Sequence, residues 1–537
     1  MKIYQMRDRV IGQLVADKAE LHGDRTFIQF EDTRYSYLDM DVLSNRIANG
    51  LAQLGVKKGT HVAFMVDNKP EIILLYFGLG KLGAVAVPVN TAAKGELLSY
   101  YLRQSESEIV IADASLVERI AVVAPGTPKL RHVVSVRDVK ARNEMPFDCA
   151  LPRSDFSELL AASDARSDIE VRFSDLHALL YTSGTTGPSK GNMITHAGSL
   201  SAGLEVARTF GYCQDDVFYV CLPIFHGNAL WCSVLPALIA DASIALARSF
   251  SVTTFWQDIR RYGATQFNSL GAMTNFIWSR PPDPRDRDHK VRQAMVVPTP
   301  TFYRDFEERF GIRFTSLYGL ADRGIVAARG PSDPPEKWAS AGRACEGVEI
   351  QIVDDDDFEV PRGQPGEIVV RTMVPWLLAQ GYYNMHEATA HACRNLWFHT
   401  GDRGYLDEDG YLYFLDRKKD AIRRRGENIS SFEVEQIILK HPAVLDVAAF
   451  PVTSEYSEDE VMVAVVIGEG HVLCEADVIE HCSNNMAYFM VPRYVEFAAE
   501  LPRTMTEKVE KYKLKQEAEK RLSTVWDREK AGIIVKR

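Results

Sequence analysis

The sequence lacks an excess of basic residues. Its 537 residues contain 62 lysines and arginines against 73 aspartates and glutamates, which gives a formal net charge of -11 at pH 7. Because a broad nucleic-acid surface needs a basic face, we expect no nucleic-acid partner. A local basic pocket for an anionic nucleotide is compatible with this charge.

Closely spaced cysteines and a long apolar stretch near residue 1 are also scarce. The eight cysteines are scattered and form no C-x-x-C pair, so free thiols in a reducing compartment are the preferred interpretation. Residues 1–26 mix acids with bases and contain no uninterrupted apolar stretch of the kind found in signal peptides. We therefore expect a cytoplasmic protein.

Only one segment, residues 72–89, is apolar enough to suggest a membrane span. It contains Lys81, three glycines and Pro88, so we predict a buried helix, turn and strand instead. Within it, Gly78–Gly83 satisfies the G-x-G-x-x-G pattern of dinucleotide-binding folds. The residues before the pattern continue a helical period and no helix follows it, which favours close helix packing over dinucleotide binding.

Helix and strand patterns alternate along most of the chain, which predicts an α/β fold. Residues 349–371 instead show short alternating strands and turns, typical of a β-meander or small barrel. Within them, Asp354–Asp357 is interpreted as a hairpin turn in preference to a metal site. The charged stretch 416–425 follows a strand and is a candidate hinge, and a small α+β unit is predicted beyond it.

Tyr181–Gly191 is the most informative stretch. It places five Ser/Thr hydroxyls, three glycines and Lys190 after an apolar strand and before a helix that begins near Thr195. Glycines let backbone N–H groups surround an oxyanion, while hydroxyls and an ammonium add donors and charge. The stretch predicts a phosphate-binding loop, although Ser189 precedes the lysine where a Walker A motif has glycine. A flexible polar loop is the alternative.

This loop resembles the phosphate-binding signature of the adenylate-forming superfamily, which comprises acyl-CoA synthetases, nonribosomal-peptide adenylation domains and luciferase-type enzymes. The resemblance spans nearly the whole chain and is greatest to crotonobetaine/carnitine-CoA ligase-like acyl-CoA ligases. Further matching motifs are Pro88–Asn90, Tyr318–Asp322, Thr400–Asp402, Asp416–Asp420 with Gly426–Asn428, and Pro502–Lys508.

The resemblance implies a large N-terminal domain, residues 1–416, made of αβα-layered subdomains and a small β-barrel-like subdomain. A small, mobile α+β C-terminal domain, residues 417–537, would rotate about a hinge at Lys419. The implied reaction joins a small carboxylic acid to coenzyme A, with ATP and Mg²⁺ as cofactors. No membrane span is expected, and a homodimer is left open.

The resemblance also implies roles for individual residues in nucleotide binding. Tyr318 and Gly319 would contact adenine, Asp402 would accept the ribose hydroxyls, and Arg417 would add a ribose contact. Asp322 and Thr186 would hold Mg²⁺. The residues implied to hold the phosphates are Thr182, Ser183, Gly184, Thr185, Thr186, Gly187 and Lys190.

By the same resemblance, Lys508, His226 and Asp322 are the implied catalytic residues. Lys508 would bridge the attacking carboxylate and the α-phosphate, because a cation there offsets the repulsion between two anions. His226 would orient or gate the carboxylate. Gly426 and Arg424 would lie along the CoA path. The acyl pocket would be lined by Phe225, Asn228, Trp231, Leu270 and Gly271, whose aromatic members form an apolar wall or attract a quaternary ammonium.

Three positions depart from the family pattern. Ala321 replaces a threonine, Asp322 replaces a glutamate, and Glu507 replaces a glycine. These departures keep open a catalytically weakened nucleotide- or acyl-binding relative. An adenylation enzyme that loads a carrier protein is a further alternative to the CoA ligase.

Overall fold

The computed structural model describes residues 4–93, 95–137, 150–182, 189–417, 422–424, 427–429, 431–454, 459–486, 488–504 and 507–535. In these ranges the strands are β1 (Thr26–Phe30), β2 (Thr33–Ser36), β3 (His61–Met65), β4 (Val85–Pro88), β5 (Ile109–Asp113), β6 (His132–Val136), β7 (Arg153–Asp155), β8 (Leu176–Thr182), β9 (Lys190–Thr195), β10 (Val217–Val220), β11 (Ser243–Leu246), β12 (Gln266–Leu270), β13 (Gln293–Val297), β14 (Arg313–Leu320), β15 (Gly324–Arg329), β16 (Arg343–Ala344), β17 (Val348–Val353), β18 (Gly366–Thr372), β19 (Phe398–Leu406), β20 (Leu412–Arg417), β21 (Ile422–Arg424), β22 (Glu427–Ile429), β23 (Val444–Thr453), β24 (Asp459–Ile467), β25 (Tyr494–Phe497) and β26 (Trp526–Asp527).

The α-helices of the same ranges are α1 (Ile11–His22), α2 (Tyr37–Gln53), α3 (Pro70–Leu82), α4 (Gly95–Gln104), α5 (Val117–Val123), α6 (Phe156–Leu160), α7 (His196–Thr209), α8 (Gly227–Ala229), α9 (Leu235–Ile239), α10 (Phe255–Tyr262), α11 (Gly271–Trp278), α12 (Tyr303–Phe310), α13 (His386–Ala392), α14 (Ser431–Ile438), α15 (Glu475–Asn485) and α16 (Lys511–Arg521). Between α8 and α9 the helix widens into a π turn, Leu230–Val234.

Two large, mainly parallel sheets form the N-terminal part of the described chain. One has the order β16-β15-β14-β13-β12-β10-β11-β1-β2, and the other has the order β7-β6-β5-β3-β4-β8-β9. Their central strands are buried, as in β5, where every residue is inaccessible to solvent. Parallel strands covered by helices on both faces need such continuous apolar runs. The sheets and their helices confirm the predicted α/β class.

A third sheet, β17-β18-β19-β20, is antiparallel throughout. It confirms the meander that residues 349–371 predict. Residues 354–357 form its hairpin turn, because Asp354 N donates to Phe358 O at 2.9 Å. The carboxylate of Asp357 contacts Arg394 at 3.2 Å, and in the described ranges no cluster of metal-ligating side chains occurs.

The C-terminal part of the described chain is a separate α+β unit. The sheet β23-β24-β25-β26 is covered by α14, α15 and α16. Its two apolar cores draw on residues between 422 and 535, whereas the cores of the N-terminal part draw on residues between 4 and 414. The predicted small α+β unit is therefore present.

The apolar segment 72–89 is a helix, a turn and a strand, as predicted. Gly78 and Gly80 lie within α3, Gly83 ends it in a left-handed conformation, and β4 follows. A Cβ on Gly78 would lie 2.7 Å from Ile47 Cγ2 in α2. This glycine pattern therefore serves helix packing. Within the described ranges, none of the helices has the length and apolar character needed to cross a membrane.

Candidate active site

The carboxyl ends of parallel strands gather several of the predicted site residues on one edge of the larger sheet. β10, β12, β13 and β14 are adjacent and parallel. His226 follows β10, Leu270 ends β12 and begins the link to α11 at Gly271, and Asp322 follows β14. In open α/β sheets this edge is where ligands bind, because the loops there can approach a common crevice.

The predicted phosphate-binding loop joins two antiparallel strands. Thr182 at the end of β8 pairs in register with Lys190 at the start of β9. The prediction of a strand followed by a loop and then a helix is incomplete, because β9 intervenes before α7. Thr195 does cap that helix, and its side chain accepts from Gly198 N at 3.0 Å. The loop residues Ser183, Gly184, Thr185, Thr186 and Gly187 lie outside the described residues.

The structure brings together Tyr318 and Asp402, two residues expected at the adenosine end. The Tyr318 hydroxyl donates to Asp402 Oδ2 at 2.7 Å, and both residues are buried. Asp402 and Arg417 are register partners on β19 and β20. Gly319 lies at a register shift between β14 and β15 and is exposed. The arrangement places a tyrosine ring and a carboxylate side by side, although they come from strands of different sheets.

Among the described residues, only one of the two carboxylate oxygens of Asp322 accepts a hydrogen bond. Its Oδ2 accepts from the Tyr382 hydroxyl at 2.7 Å. Its Oδ1 is shielded from solvent and has no hydrogen-bond partner among the described residues. Since a buried carboxylate oxygen is costly to leave unsatisfied and is an oxygen ligand that Mg²⁺ accepts, the residue fits a metal site. Its shorter side chain still leaves one oxygen available.

His226 is held as a neutral imidazole at the start of α8. Its Nδ1 accepts from Asn228 N at 3.4 Å. Desolvation of the ring and the positive charge of Lys508 lower the pKa of His226 to about 4. With Nδ1 accepting, the proton of the neutral ring lies on Nε2. His226 therefore offers an uncharged donor.

Lys508 projects from a tight hairpin. Thr504 N donates to Lys508 O at 2.7 Å, Glu507 N donates to Thr504 O at 3.0 Å, and Arg503 pairs with Val509 across the turn. Glu507 has φ of 60°, a left-handed conformation that glycine adopts most easily. Glu507 thus holds a backbone conformation that favours glycine, and Lys508 follows it in this turn.

Polar side chains gather next to the predicted acyl pocket. Asn268 Nδ2 donates to Ser233 Oγ at 2.8 Å and to Asn228 Oδ1 at 3.3 Å. The Trp231 ring covers Gly227, and its buried Nε1 has no hydrogen-bond partner among the described residues. Trp231 and Ser233 lie on the π turn, a distortion that often marks functional sites. The pocket region therefore combines an aromatic wall with amides.

The remaining predicted pocket residues line the neighbouring strand end. Phe225 is partly buried against the main apolar core. Leu270 is the register partner of Val297 on β13, and a Cβ on Gly271 would contact Pro298 at 3.5 Å, an ordinary contact distance. These residues therefore lie at one strand-end edge with His226.

Arg424 requires a correction. The sequence places it along the CoA path, but its side chain is buried and pairs with the buried Glu460 at 2.6 Å. It also donates to Phe489 O and Val491 O, each at 3.0 Å. A guanidinium committed to these groups stabilises the C-terminal unit and is not available to a ligand. The predicted hinge residue Lys419 and the predicted CoA-path residue Gly426 lie outside the described residues.

Tyr382 is a site residue that the sequence analysis did not identify. Its ring lies 4.7 Å from Lys190 Nζ and its hydroxyl contacts Asp322. It lies far from both in sequence, in an irregular segment after β18, and no local pattern joins the three. The pairing of Tyr382 with Asn192 on β9 is visible only in three dimensions.

Comparisons with known proteins agree over most of the chain. A sequence model of the AMP-binding enzyme family matches residues 15–383, and one of the AMP-binding enzyme C-terminal domain matches residues 433–508. A crotonobetaine/carnitine–CoA ligase of Salmonella paratyphi A (strain ATCC 9150 / SARB42) is 34% identical over 517 residues, which cover 94% of this chain and 98% of that protein.

Solved structures agree with the fold. ATP-bound MatB from Rhodopseudomonas palustris superposes with a TM-score of 0.84 at 27% identity, covering 95% of this chain and 99% of that one. The anthranilate CoA ligase AuaEII in complex with anthranoyl-AMP has a TM-score of 0.86 at 22% identity, covering 97% and 99%. The second likeness supports the architecture alone.

Proposed function

Because the chain belongs to the AMP-binding enzyme family, we propose that it is an ATP-dependent carboxylic acid–CoA ligase. The enzyme forms an acyl-adenylate and pyrophosphate, and then an acyl-CoA thioester and AMP. The observation that carries this proposal is the buried hydrogen bond from the Tyr318 hydroxyl to Asp402, which joins two residues assigned to the nucleoside. The positive charge of Lys508 contributes to the low pKa of His226, which supports a place for this lysine near the strand-end edge.

In the first half-reaction, Lys508 offsets the repulsion between the acid's carboxylate and the α-phosphate. A carboxylate oxygen attacks the α-phosphorus, the bond to the bridging oxygen of pyrophosphate breaks, and pyrophosphate leaves with that electron pair. A preorganised ammonium stabilises the charge that develops in this step. Neutral His226 donates from Nε2 and orients the carboxylate without adding a second positive charge beside Lys508.

The nucleotide is proposed to lie across the strand ends. Tyr318 and Gly319 contact adenine, Asp402 accepts from the ribose hydroxyls, and Arg417 adds a ribose contact. The hydrogen bond from Tyr318 to Asp402 supports this assignment because it holds the ring and the carboxylate in a fixed relation. The phosphates are assigned to the hydroxyl-rich loop between Thr182 and Lys190.

Mg²⁺ is assigned to Asp322, with Thr186 as a second ligand. The unpartnered Oδ1 of Asp322 supports this assignment. When bound, the ion supplies charge neutralisation to the triphosphate. Asp322 itself contributes an oriented anionic oxygen, and the Tyr382 hydroxyl limits its rotation.

For the second half-reaction, we propose that residues 417–537 rotate about Lys419 relative to residues 1–416. The separate cores of the two parts support this division, since rotation then need not disrupt either core. The thiol path is assigned to Gly426, as the family resemblance implies. The CoA thiol attacks the acyl carbon, loses its proton, and displaces AMP as the thioester forms.

The acid is proposed to be small and to carry a polar or cationic group. Asn228, Asn268 and Ser233 form a neutral polar cluster, and the Trp231 ring provides an aromatic surface. The similarity to a crotonobetaine/carnitine–CoA ligase makes betaine-type acids the first class to test.

The free thiols of the described residues, for example the exposed Cys213, support a reducing, cytoplasmic location.

The test is pyrophosphate release over a panel of short, medium, aromatic and betaine acids, with and without CoA. We expect acid-dependent pyrophosphate release for at least one class, and AMP together with a thioester only when CoA is present. Pyrophosphate release without CoA-dependent thioester would favour an enzyme that loads a carrier protein. ATP binding without any acid-dependent release would indicate a weakened relative and overturn the proposal.

A further inference from the structure

Residues 380–383, here named the strap, are held against β9 by backbone hydrogen bonds. Met193 N donates to Gly381 O at 2.9 Å, Gln380 N donates to Met193 O at 2.9 Å, and Tyr383 N donates to Gly191 O at 2.8 Å. These bonds fix the register of the strap directly beside Lys190, the first residue of β9.

The far side of the strap is fastened to α13. Tyr382 N donates to Thr389 Oγ1 at 3.0 Å. Gly381 has φ of 114°, and a Cβ there would lie 2.7 Å from Thr389 Cγ2. A glycine is therefore required for the strap to lie this close to the helix. With both sides fixed, the position of the Tyr382 side chain is determined by the fold.

The Tyr382 side chain lies between two predicted ligand-binding groups. It is 4% exposed, so its contacts are shielded from water. The Lys190 ammonium lies 4.7 Å from the centre of its ring, and its hydroxyl donates to Asp322 Oδ2 at 2.7 Å. One residue thus contacts the phosphate-loop cation through its ring and the metal-binding carboxylate through its hydroxyl.

We infer that Tyr382 is a positioning residue that aligns Asp322 and Lys190 for a metal–triphosphate complex. This inference rests on the proposed function. By engaging Oδ2, the hydroxyl leaves Oδ1 as the oxygen that faces the metal. The ring supports the ammonium through a cation–π contact without neutralising its charge, whereas a carboxylate partner would compete with phosphate. Tyr382 touches neither reacting group and acts through its two neighbours.

The next residue offers a matched control in the same strap. The Tyr383 hydroxyl donates to Glu106 Oε2 at 2.9 Å, and its ring packs against His61 at 4.9 Å. Tyr383→Phe therefore removes an equivalent hydroxyl–carboxylate bond from the same segment, but away from Asp322 and Lys190.

The test is the Mg²⁺ dependence of ATP binding, measured by calorimetry without acid substrate, for the full chain. Tyr382→Phe keeps the ring and removes the hydroxyl, so we expect the Mg²⁺ concentration needed for tight ATP binding to rise roughly tenfold. Thermal unfolding of each variant checks the fold. Tyr383→Phe is expected to keep the wild-type Mg²⁺ dependence.

A second arm begins with a variant of Asp322, whose result does not depend on the folding of Tyr382→Phe. Asp322→Asn alone should shift the Mg²⁺ dependence at least as far, and adding Tyr382→Phe to it should cause no further shift, because the hydroxyl acts through Asp322. Wild-type Mg²⁺ dependence in Tyr382→Phe or in Asp322→Asn, additive shifts, or an equal shift in Tyr383→Phe would overturn the inference.

The binding and turnover measurements separate this inference from the proposed function. If Tyr382→Phe shifts the Mg²⁺ dependence of ATP binding while the wild type releases no acid-dependent pyrophosphate, the inference stands and the ligase proposal fails. If the wild type is an active ligase and the Mg²⁺ dependence of Tyr382→Phe is unchanged, the ligase proposal stands and the inference fails.

Discussion

At the scale of single residues, Glu507 holds a backbone conformation that is unfavourable for its residue type. It occupies the turn before Lys508 with φ of 60°, and its side chain is exposed. A left-handed conformation costs a non-glycine residue about 1–2 kcal/mol. The hairpin that presents Lys508 therefore contains backbone strain that glycine would relieve.

We therefore predict that Glu507→Gly stabilises the protein. The relief of backbone strain exceeds the extra entropy of glycine in the unfolded chain, for a net gain of about 0.5–1 kcal/mol. The gain in the free energy of unfolding is measured by urea unfolding monitored by circular dichroism. Glu507→Ala is the control, because it retains a Cβ and should give no comparable gain. A Glu507→Gly variant no more stable than Glu507→Ala would contradict this explanation.

At the scale of elements, the two interior glycines of α3 have different roles. A Cβ on Gly78 would lie 2.7 Å from Ile47 Cγ2 and 3.1 Å from Ser44 O, so α2 would have to move. A Cβ on Gly80 would meet its nearest atoms, in His196 and Ile11, at 3.5 Å, an ordinary contact. Close helix packing thus needs only one of the two glycines.

We predict opposite effects for the two alanine substitutions. Gly78→Ala should destabilise the protein by about 1–3 kcal/mol, because it overpacks the interface between α2 and α3. Gly80→Ala should be neutral or stabilising by up to about 1 kcal/mol, because alanine is the better helix former. The two effects are compared by measuring the denaturant concentration at which each variant is half unfolded. Equal destabilisation by both substitutions would show that the packing distances do not control the outcome.

At the scale of the whole molecule, two buried histidines link its layers. His177 on β8 and His196 on α7 have ring centres 5.1 Å apart, and His196 Nδ1 accepts from Ile11 N on α1 at 3.3 Å. Burial lowers the pKa of His196 to about 3 and also lowers the pKa of His177. Both imidazoles are therefore neutral in the folded protein.

This arrangement predicts a loss of stability in acid. A histidine with a depressed pKa in the folded state takes up its proton on unfolding once the pH falls below about 6.5. Its contribution is complete above that pH and is lost as the pH falls towards 3. Each such group adds about 1.4 kcal/mol per pH unit to the slope of the unfolding free energy.

His196→Gln removes one of these groups and should flatten the slope between pH 6 and pH 5 by up to about 1.4 kcal/mol per pH unit. Urea unfolding at several pH values measures the slope for both proteins. The difference in unfolding free energy between the two proteins at pH 8, where the histidine is neutral in both states, gives the effect of the substitution on packing alone. An unchanged slope would mean that His196 is already protonated in the folded state or remains neutral on unfolding.

The sequence predicts much of the fold because local patterns determine it. The helix, turn and strand of residues 72–89 follow from their apolar run and glycines, and the meander follows from the alternation in residues 349–371. The enzyme family is confirmed by the comparisons. Local patterns also predict that Thr195 begins a helix, because a threonine side chain there satisfies a free backbone N–H.

The features of the fold and the candidate site that the sequence does not predict depend on contacts between distant segments. β9 was not predicted because the hydroxyl-rich loop contains no strand pattern, and its pairing with β8 and with the strap is tertiary. The family resemblance implies that Arg424 lies on the CoA path, but the distant residue Glu460 pairs with it inside the core. The sequence also does not predict the contacts of Tyr382, because neither Lys190 nor Asp322 is near it in sequence.

The most direct test of the proposed chemistry is to measure the two half-reactions of Lys508→Ala separately. Adenylation is followed by acid-dependent exchange between pyrophosphate and ATP, and thioester formation is followed from supplied acyl-adenylate and CoA. We expect adenylation to fall by roughly 100-fold or more, while thioester formation from the supplied adenylate keeps the wild-type rate. Full adenylation activity in Lys508→Ala would contradict the role assigned to this lysine.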